Sequence, residues 1–432
     1  MRRPLLAFVI LLSVALSWAA AADATEVAQT PERHMEVVQV QGAIDPVVAD
    51  LIKGSIRRAQ TNGATVVILQ IDSRGALDTD ASALIDAVRR SKVPVAVWVG
   101  PKSTARGAAA GLVAAASFSA AAPGAGLGPV NPLRLDPTAP WRASVDYIAT
   151  SEDPVEVRFT RRVNGLANRR VRGQAAADEG LVDVVAPTLG DLIVALNGKE
   201  VPTAAGPVRL TTAKQVDTKE GPRQTADQPV RFLKPGTFES VQHSLTSPSV
   251  VFLLLIVGLS LMVFEFFTVG IGLAGATGAA AVAGALYGCS HLPVTWWALG
   301  LLVISTFGFA VDVQAGHQGF WTGVGVVGLL AGALKLFGGS SALDVPLWLV
   351  VLIFVGQIIF MLGGMTVAVR NRFSIPTVGR DSMIGELGEA RTELNPDGVV
   401  TVRGAPWRAR THRGTPVSPG GAVRVVAVDR LV

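Results

Sequence analysis

The chain reads as a multidomain membrane protein: an α/β domain, then a helical membrane bundle, then a small all-β domain. Three observations predict this. Residues 248–369 are almost unbroken apolar sequence, far beyond the roughly 20 residues that one spanning helix needs. Strand-like and helix-like runs alternate before that block, and short strands separated by Gly and Pro turns follow it. Half of the 432 residues are hydrophobic and only 16% are charged, against about a quarter in soluble domains.

Charge and cysteine content narrow the class. The net charge of +5 comes from 38 Lys and Arg against 33 Asp and Glu. That mild excess suits an anionic membrane surface and argues against nucleic acid as a partner. The one cysteine, Cys289, excludes an intramolecular disulfide and reads as a buried thiol. No spacing of His, Cys, Asp or Glu predicts a metal site, and no cofactor motif stands out.

At the start, Arg2 and Arg3, the apolar run Leu5–Leu16 and the small residues Ala19–Ala24 read as a signal peptide over 1–24. An uncleaved anchor is the alternative. Either way the α/β domain that follows, 33–200, is expected outside the membrane. Met35–Val40, Thr65–Ile71 and Val93–Val99 read as strands, with helices at Pro46–Thr61, Asp78–Arg90 and Ala105–Ala116. The strand runs lack polar alternation, which implies a parallel sheet covered on both faces. Sharp turns follow two strands, at Asp72-Ser73-Arg74-Gly75-Ala76 and Gly100-Pro101-Lys102-Ser103. Helices that start after such turns present free N–H groups, where oxyanion and nucleophile sites are commonly built.

These pieces resemble the NfeD family of membrane proteins, whose exported domain is ClpP-like, with a crotonase-like fold. The likeness rests on Gly42-Ala43-Ile44-Asp45-Pro46, Leu69–Gly75, Val93–Pro101, Ala121-Ala122-Pro123-Gly124 and Ala175–Asp183. It implies a serine protease with a Ser–Lys dyad, the serine standing before Ala-Gly early in the helix after the third strand. Aligning on Ala110-Gly111 puts Ala109 at that position; aligning on Pro123 puts Gly107 there. Neither side chain can attack a carbonyl. No lysine occurs between Lys102 and Lys199, and no histidine between His34 and His243. A serine needs an adjacent base to react near neutral pH. The oxyanion-like turn is altered to Gly75 and Ala76. Ser103, beside Lys102, and Ser73 remain as fallback nucleophiles, although adjacent residues seldom face each other. The domain therefore reads as a pseudoprotease whose groove binds peptide segments by strand addition or supports a homo-oligomer.

The arginines Arg158, Arg161, Arg162, Arg169, Arg170 and Arg172 read as a solvated helix face or a contact with anionic headgroups. Residues 201–245 read as a linker that accommodates short β pieces. The membrane domain, 246–372, divides into about five helices: Val250–Phe267, Ile271–Gly288, Thr295–Val313, Thr322–Phe337 and Pro346–Val369. It carries an internal repeat, with Ala283-Gly284-Ala285-Leu286 recurring as Ala331-Gly332-Ala333-Leu334 and Glu265 matched by Asp312. Intramembrane acids suggest ion handling; acids near span ends equally serve as turn caps. Five crossings place the tail in the cytoplasm of a bacterial-type plasma membrane, with Arg370, Arg372 and Arg380 following the last span.

The tail, 376–432, shows about five short strands that suit a small barrel. Gly388, Gly398, Gly404, Trp407, Ala409 and Gly420-Gly421 match the C-terminal OB-fold of the NfeD family. Trp407 is expected in its core. Nucleic-acid binding would need several aromatic platforms, and Trp407 stands alone. The resemblance implies an SPFH (stomatin/flotillin-like) partner. Three functions follow: a membrane scaffold, a serine endopeptidase with a non-standard nucleophile, and a small transporter using Glu265 and Asp312.

Overall fold

The computed structural model describes residues 33–135, 153–218, 221–268, 272–316, 319–338, 341–373, 383–411 and 415–428. The signal-peptide reading lies outside them. The chain divides into two units, Met1–Thr366 and Val367–Val432.

The first unit opens with β1 (Met35–Ile44), α1 (Pro46–Asn62), β2 (Val66–Ala76), α2 (Ala81–Arg89) and β3 (Val95–Val99). Next come β4 (Thr104–Ala105), α3 (Ala108–Ala115), β5 (Phe118–Ala121), β6 (Gly126–Leu127) and α4 (Pro154–Leu166). Then follow β7 (Val171–Arg172), α5 (Gly173–Asp178), β8 (Val184–Val185) and α6 (Leu189–Leu196). β1, β2, β3, β5 and β8 pair in parallel, as the unalternated apolar strands require. β2 is long enough to diverge: its first part pairs with β3, and Ser73 near its end pairs with Ala105 of β4. β6 and β7 continue that second arm.

Asp45 and Asp80 cap α1 and α2 through their carboxylates, at 2.9 Å each. α3 is buried along its whole length. Its small residues permit that: an added Cβ at Gly111 would stand 2.4 Å from Ile85 Cδ1.

The stretch read as a linker is instead structured. β9 (Glu200–Thr203) pairs with β10 (Gly206–Arg209), β11 (Ala213–Thr218) with β12 (Gly221–Ala226), and β13 (Val230–Leu233) joins the main sheet beside β1. Met35 faces Val230 in that pair, a partnership across nearly the whole domain that local patterning does not display. α7 (Thr237–Leu245) then leads into the membrane helices.

α8 (Pro248–Phe267), α9 (Leu273–His291) and α10 (Trp296–Ala315) are long and apolar enough to cross a membrane. So is the continuous helix Leu347–Val369, built from α12 (Leu347–Ile358), a π-helical stretch (Ile359–Met365) and the start of α13 (Thr366–Phe373). The fourth predicted span is the shorter α11 (Phe320–Lys335), whose 16 residues rise about 24 Å. Two hairpins, α8–α9 and α10–α11, pack alike through small residues. An added Cβ at Gly258 would meet the Gly278 carbonyl at 2.9 Å, and in the second hairpin Ser305 Oγ donates to the Gly325 carbonyl.

The second unit contains one antiparallel sheet: β14 (Leu387–Ala390), β15 (Asp397–Val402), β16 (Ala405–Arg410) and β17 (Ala422–Arg424), in the order β16-β15-β14-β17. The sequence reading expected about five strands; four lie among the described residues. Met383, Ala390, Leu394, Val400 and Val402 form its core, with Trp407 packed against them and paired opposite Val400.

Candidate functional site

The carboxyl ends of β1, β2 and β4 meet at one place, where the fold concentrates its special backbone conformations. Gly107, the residue before α3, has φ 55° and ψ −129°. A strand-to-helix turn of that strained kind is how hydrolases present a nucleophile. The degenerate alanine tract left Ala109 and Gly107 as equal alternatives; only Gly107 has this conformation, while Ala109 is wholly buried inside α3.

Gly107 leaves no room for a side chain. An added Cβ would lie 2.8 Å from both the Pro132 and Leu133 carbonyl oxygens and 3.1 Å from Gly75 Cα. The segment responsible, 129–135, lies directly against this turn. Ala76 N–H and Ala108 N–H both donate to the Leu133 carbonyl, at 3.1 Å each. Gly107 N–H donates to the Pro129 carbonyl at 2.8 Å, and Leu135 N–H to the Ala76 carbonyl at 2.8 Å. Two backbone donors aimed at one carbonyl form the arrangement that grips a developing oxyanion. Here it grips the chain's own peptide. Leu133 and Leu135 are buried beneath it. No local signal in the sequence marks 129–135 for this place.

The other predicted residues fall elsewhere. Gly75, with φ 145°, packs against Leu135, and its N–H approaches Ser73 Oγ at 3.4 Å. Ser73 is buried in that turn. Ser103, the other fallback nucleophile, stands in the turn before β4, its N–H donating to the Gly100 carbonyl and its own carbonyl accepting from Gly126 N–H. Asp72 braces that turn through Thr104 N–H at 2.9 Å. No described lysine or histidine hydrogen-bonds either serine.

The absence of histidine between positions 34 and 243 hid a different pairing. His243 of α7 places Nδ1 2.8 Å from Asp45 Oδ2, which also accepts from Thr246 Oγ1 at 2.9 Å, while Asp45 Oδ1 accepts from Val48 N–H. The ring also hydrogen-bonds the Gln41 backbone. The hydrogen bond to Asp45 raises the His243 pKa above its usual value, against the opposing effect of burial. Burial acts to raise the Asp45 pKa, but His243, Val48 and Thr246 outweigh it and hold the carboxyl below the usual range. A ring held this way clasps α7 to Asp45 rather than standing as a free base. A second clasp joins His291, the last residue of α9, to Asp78 Oδ2 at 2.7 Å. Both tie the α/β domain to helices at the membrane.

Glu265 and Asp312 are turn caps. Glu265 accepts from Gly272 and Gly275 N–H, seven and ten residues on, at 2.9 and 3.3 Å. Asp312 accepts from Gly319 and Thr322 N–H at the same two spacings, both at 2.7 Å. Each acid therefore satisfies the free donors that open the following helix. Asp312→Ala should lower stability by about 1 kcal/mol, read as thermal unfolding in detergent. A flux across vesicles that disappears in this variant would contradict the structural assignment.

An α/β domain followed by apolar helices long enough to cross a membrane and by an all-β tail defines a multidomain membrane protein. Residues 249–366 match the NfeD integral membrane domain and residues 380–432 the NfeD-like C-terminal, partner-binding domain. Two NfeD family models thus match the membrane and C-terminal regions of the chain. It is similar to the membrane-bound protease PH1510 of Pyrococcus horikoshii, 24% identical over 419 residues that cover 91% of each chain. Among solved structures, it resembles the 1510-N membrane protease specific for a stomatin homolog from that organism. The identity is 20%, covering 50% of this chain and all of that one, with a TM-score of 0.37. The C-terminal domain of the stomatin operon partner protein 1510-C is 43% identical over 12% of this chain and 81% of that one, with a TM-score of 0.11. An enoyl-CoA hydratase/isomerase family protein from Hyphomonas neptunium is 17% identical, over 35% and 64% of the two chains, at a TM-score of 0.25.

Proposed function

We propose that this NfeD protein is a membrane scaffold whose α/β domain is a pseudoprotease, and that its β-rich tail binds an SPFH protein. The carrying observation is Gly107: the turn suited to a nucleophile holds a residue without a side chain, under a carbonyl supplied by the chain itself. The sequence supports the same reading, since no lysine stands between Lys102 and Lys199 to act as base. In this reading the α/β domain lies outside the cell and the tail in the cytoplasm, where it organises membrane partners. The alternative, a serine endopeptidase, draws support from the protease name of the Pyrococcus relative.

The two are separated on the full-length protein in detergent. A fluorophosphonate probe should label nothing, and peptide cleavage should stay at background. Labelling that is lost in Ser103→Ala or Ser73→Ala overturns the pseudoprotease reading. Immobilised full-length protein should retain an SPFH protein, and Trp407→Ala should weaken that capture; no retention by folded protein rejects the partner.

A further inference from the structure

The arginines picked out in the sequence do not form one solvated face. Arg162 is wholly buried against Asp183 at 2.7 Å, and Arg169 pairs with Glu179. Arg161 and Arg158 donate to the carbonyls of Gly180 and Ala116. Arg170 and Arg172 are left over; Arg172, in β7, pairs with Gly126 of β6, and strand register shows where Arg170 belongs. Ser73 pairs with Ala105, Ala105 with Leu127, and Leu127 with Val171. β2, β4 and β6 run parallel and β7 antiparallel, so the next row across the sheet reads Arg74, Arg106, Gly128, Arg170. Strands lie about 4.8 Å apart, which gathers three guanidinium groups on one strip. Between two of them stands Gly128, which carries no side chain and packs against the Arg169 carbonyl, 2.4 Å from where a Cβ would be.

Nothing described neutralises this row. Arg74 and Arg170 are exposed, and the buried Arg106 Nε has no hydrogen-bond partner. Asp72, two rows back on β2, has Oδ1 committed to Thr104 N–H. Burial, with the charges of Arg170 and Arg74, lowers the Arg106 pKa from its usual value. Like charges at neighbouring positions destabilise a sheet, so an anion placed among them is favoured.

The location selects the anion. The row ends β2, and the same end of the sheet touches the membrane helices. Asp45 is clasped by α7, which leads into α8, and Asp78, shortly after Arg74, holds His291 at the end of α9. We propose that Arg74, Arg106 and Arg170 form a binding site for the phosphate of an anionic phospholipid in the leaflet facing the α/β domain. Guanidinium forks match phosphate oxygens in bidentate geometry and stay charged under all relevant conditions. The site would hold the α/β domain against the bilayer, independently of whether the cleft hydrolyses anything.

The test uses full-length protein in neutral detergent, titrated with phosphatidylglycerol or phosphatidylcholine and read by native mass spectrometry. The wild type should prefer phosphatidylglycerol, and each of Arg74→Gln, Arg106→Gln and Arg170→Gln should weaken that preference about fivefold. Arg209→Gln, on β10, should leave it unchanged. Exposed Arg74 and Arg170 serve as variants that fold even if Arg106→Gln does not. Equal binding of the two lipids, or a preference untouched in Arg74→Gln and Arg170→Gln, overturns the proposal. So does a thermal shift with inorganic phosphate or a polyglutamate peptide that needs these arginines while no lipid preference exists.

Discussion

Gly107→Ser should yield a less stable protein and no hydrolase. Installing the hydroxyl puts a serine at one of the two positions that the family resemblance offers, so a simple loss-of-nucleophile account expects activity to return. The geometry forbids this on two grounds. The serine Cβ would stand 2.8 Å from two carbonyl oxygens, with backbone at φ 55° and ψ −129°, a conformation that a side chain resists. Strain of this kind costs about 1–3 kcal/mol and overpacking a further 1–3 kcal/mol. The sum is a large share of the roughly 5–15 kcal/mol that holds a domain together. A hydroxyl that survived would still lack a base, since no lysine stands between Lys102 and Lys199 and no described lysine or histidine hydrogen-bonds the turn. Thermal unfolding in detergent and fluorophosphonate labelling check both halves. Labelling of Gly107→Ser at wild-type stability would show that segment 129–135 leaves the cleft readily and that a base is present.

A cleft filled by its own chain also bears on what the sequence could show. The strands and helices of the α/β domain were legible because apolar periodicity is local: Met35, Thr65 and Val93 each open a run that the structure keeps as a strand. The nucleophile position was not, because Gly107-Ala108-Ala109-Ala110-Gly111 aligns equally well in two registers; only a backbone angle separates them. The edge strand Val230–Leu233 was missed because its partner, Met35–Val38, lies far away in the chain. The acids Glu265 and Asp312 were visible as a repeat, and their shared spacing to the donors at seven and ten residues explains the repeat as paired helix caps. The arginine row needed four strands in register, which no pattern of neighbours encodes.

The clasp at Asp45 should produce the other large effect. Asp45 is fully buried and serves three groups: the N–H of Val48 that opens α1, the Thr246 hydroxyl and the His243 ring. Asp45→Ala removes all three and should cost on the order of 3 kcal/mol, seen as a lower unfolding temperature and faster hydrogen exchange in α7. Asp45→Asn keeps a capping oxygen, since Asn caps helices as well as Asp, and should recover about 1 kcal/mol of that loss. The pH dependence has a definite sign. His243 has a folded pKa raised above 6.5, so its contribution is complete below that value and fades as pH rises through the raised one. Asp45 has a folded pKa lowered below 3.8, so its contribution is complete above that value and fades as pH falls through the lowered one. The clasp is therefore strongest in mildly acidic solution and loosens on the alkaline side. Wild-type protein should lose thermal stability as pH rises past the His243 value, while His243→Gln, already lacking the charge, should show a flatter profile there. Identical alkaline slopes in the two proteins would mean that His243 is uncharged in the fold and that the α7 junction is held by packing alone.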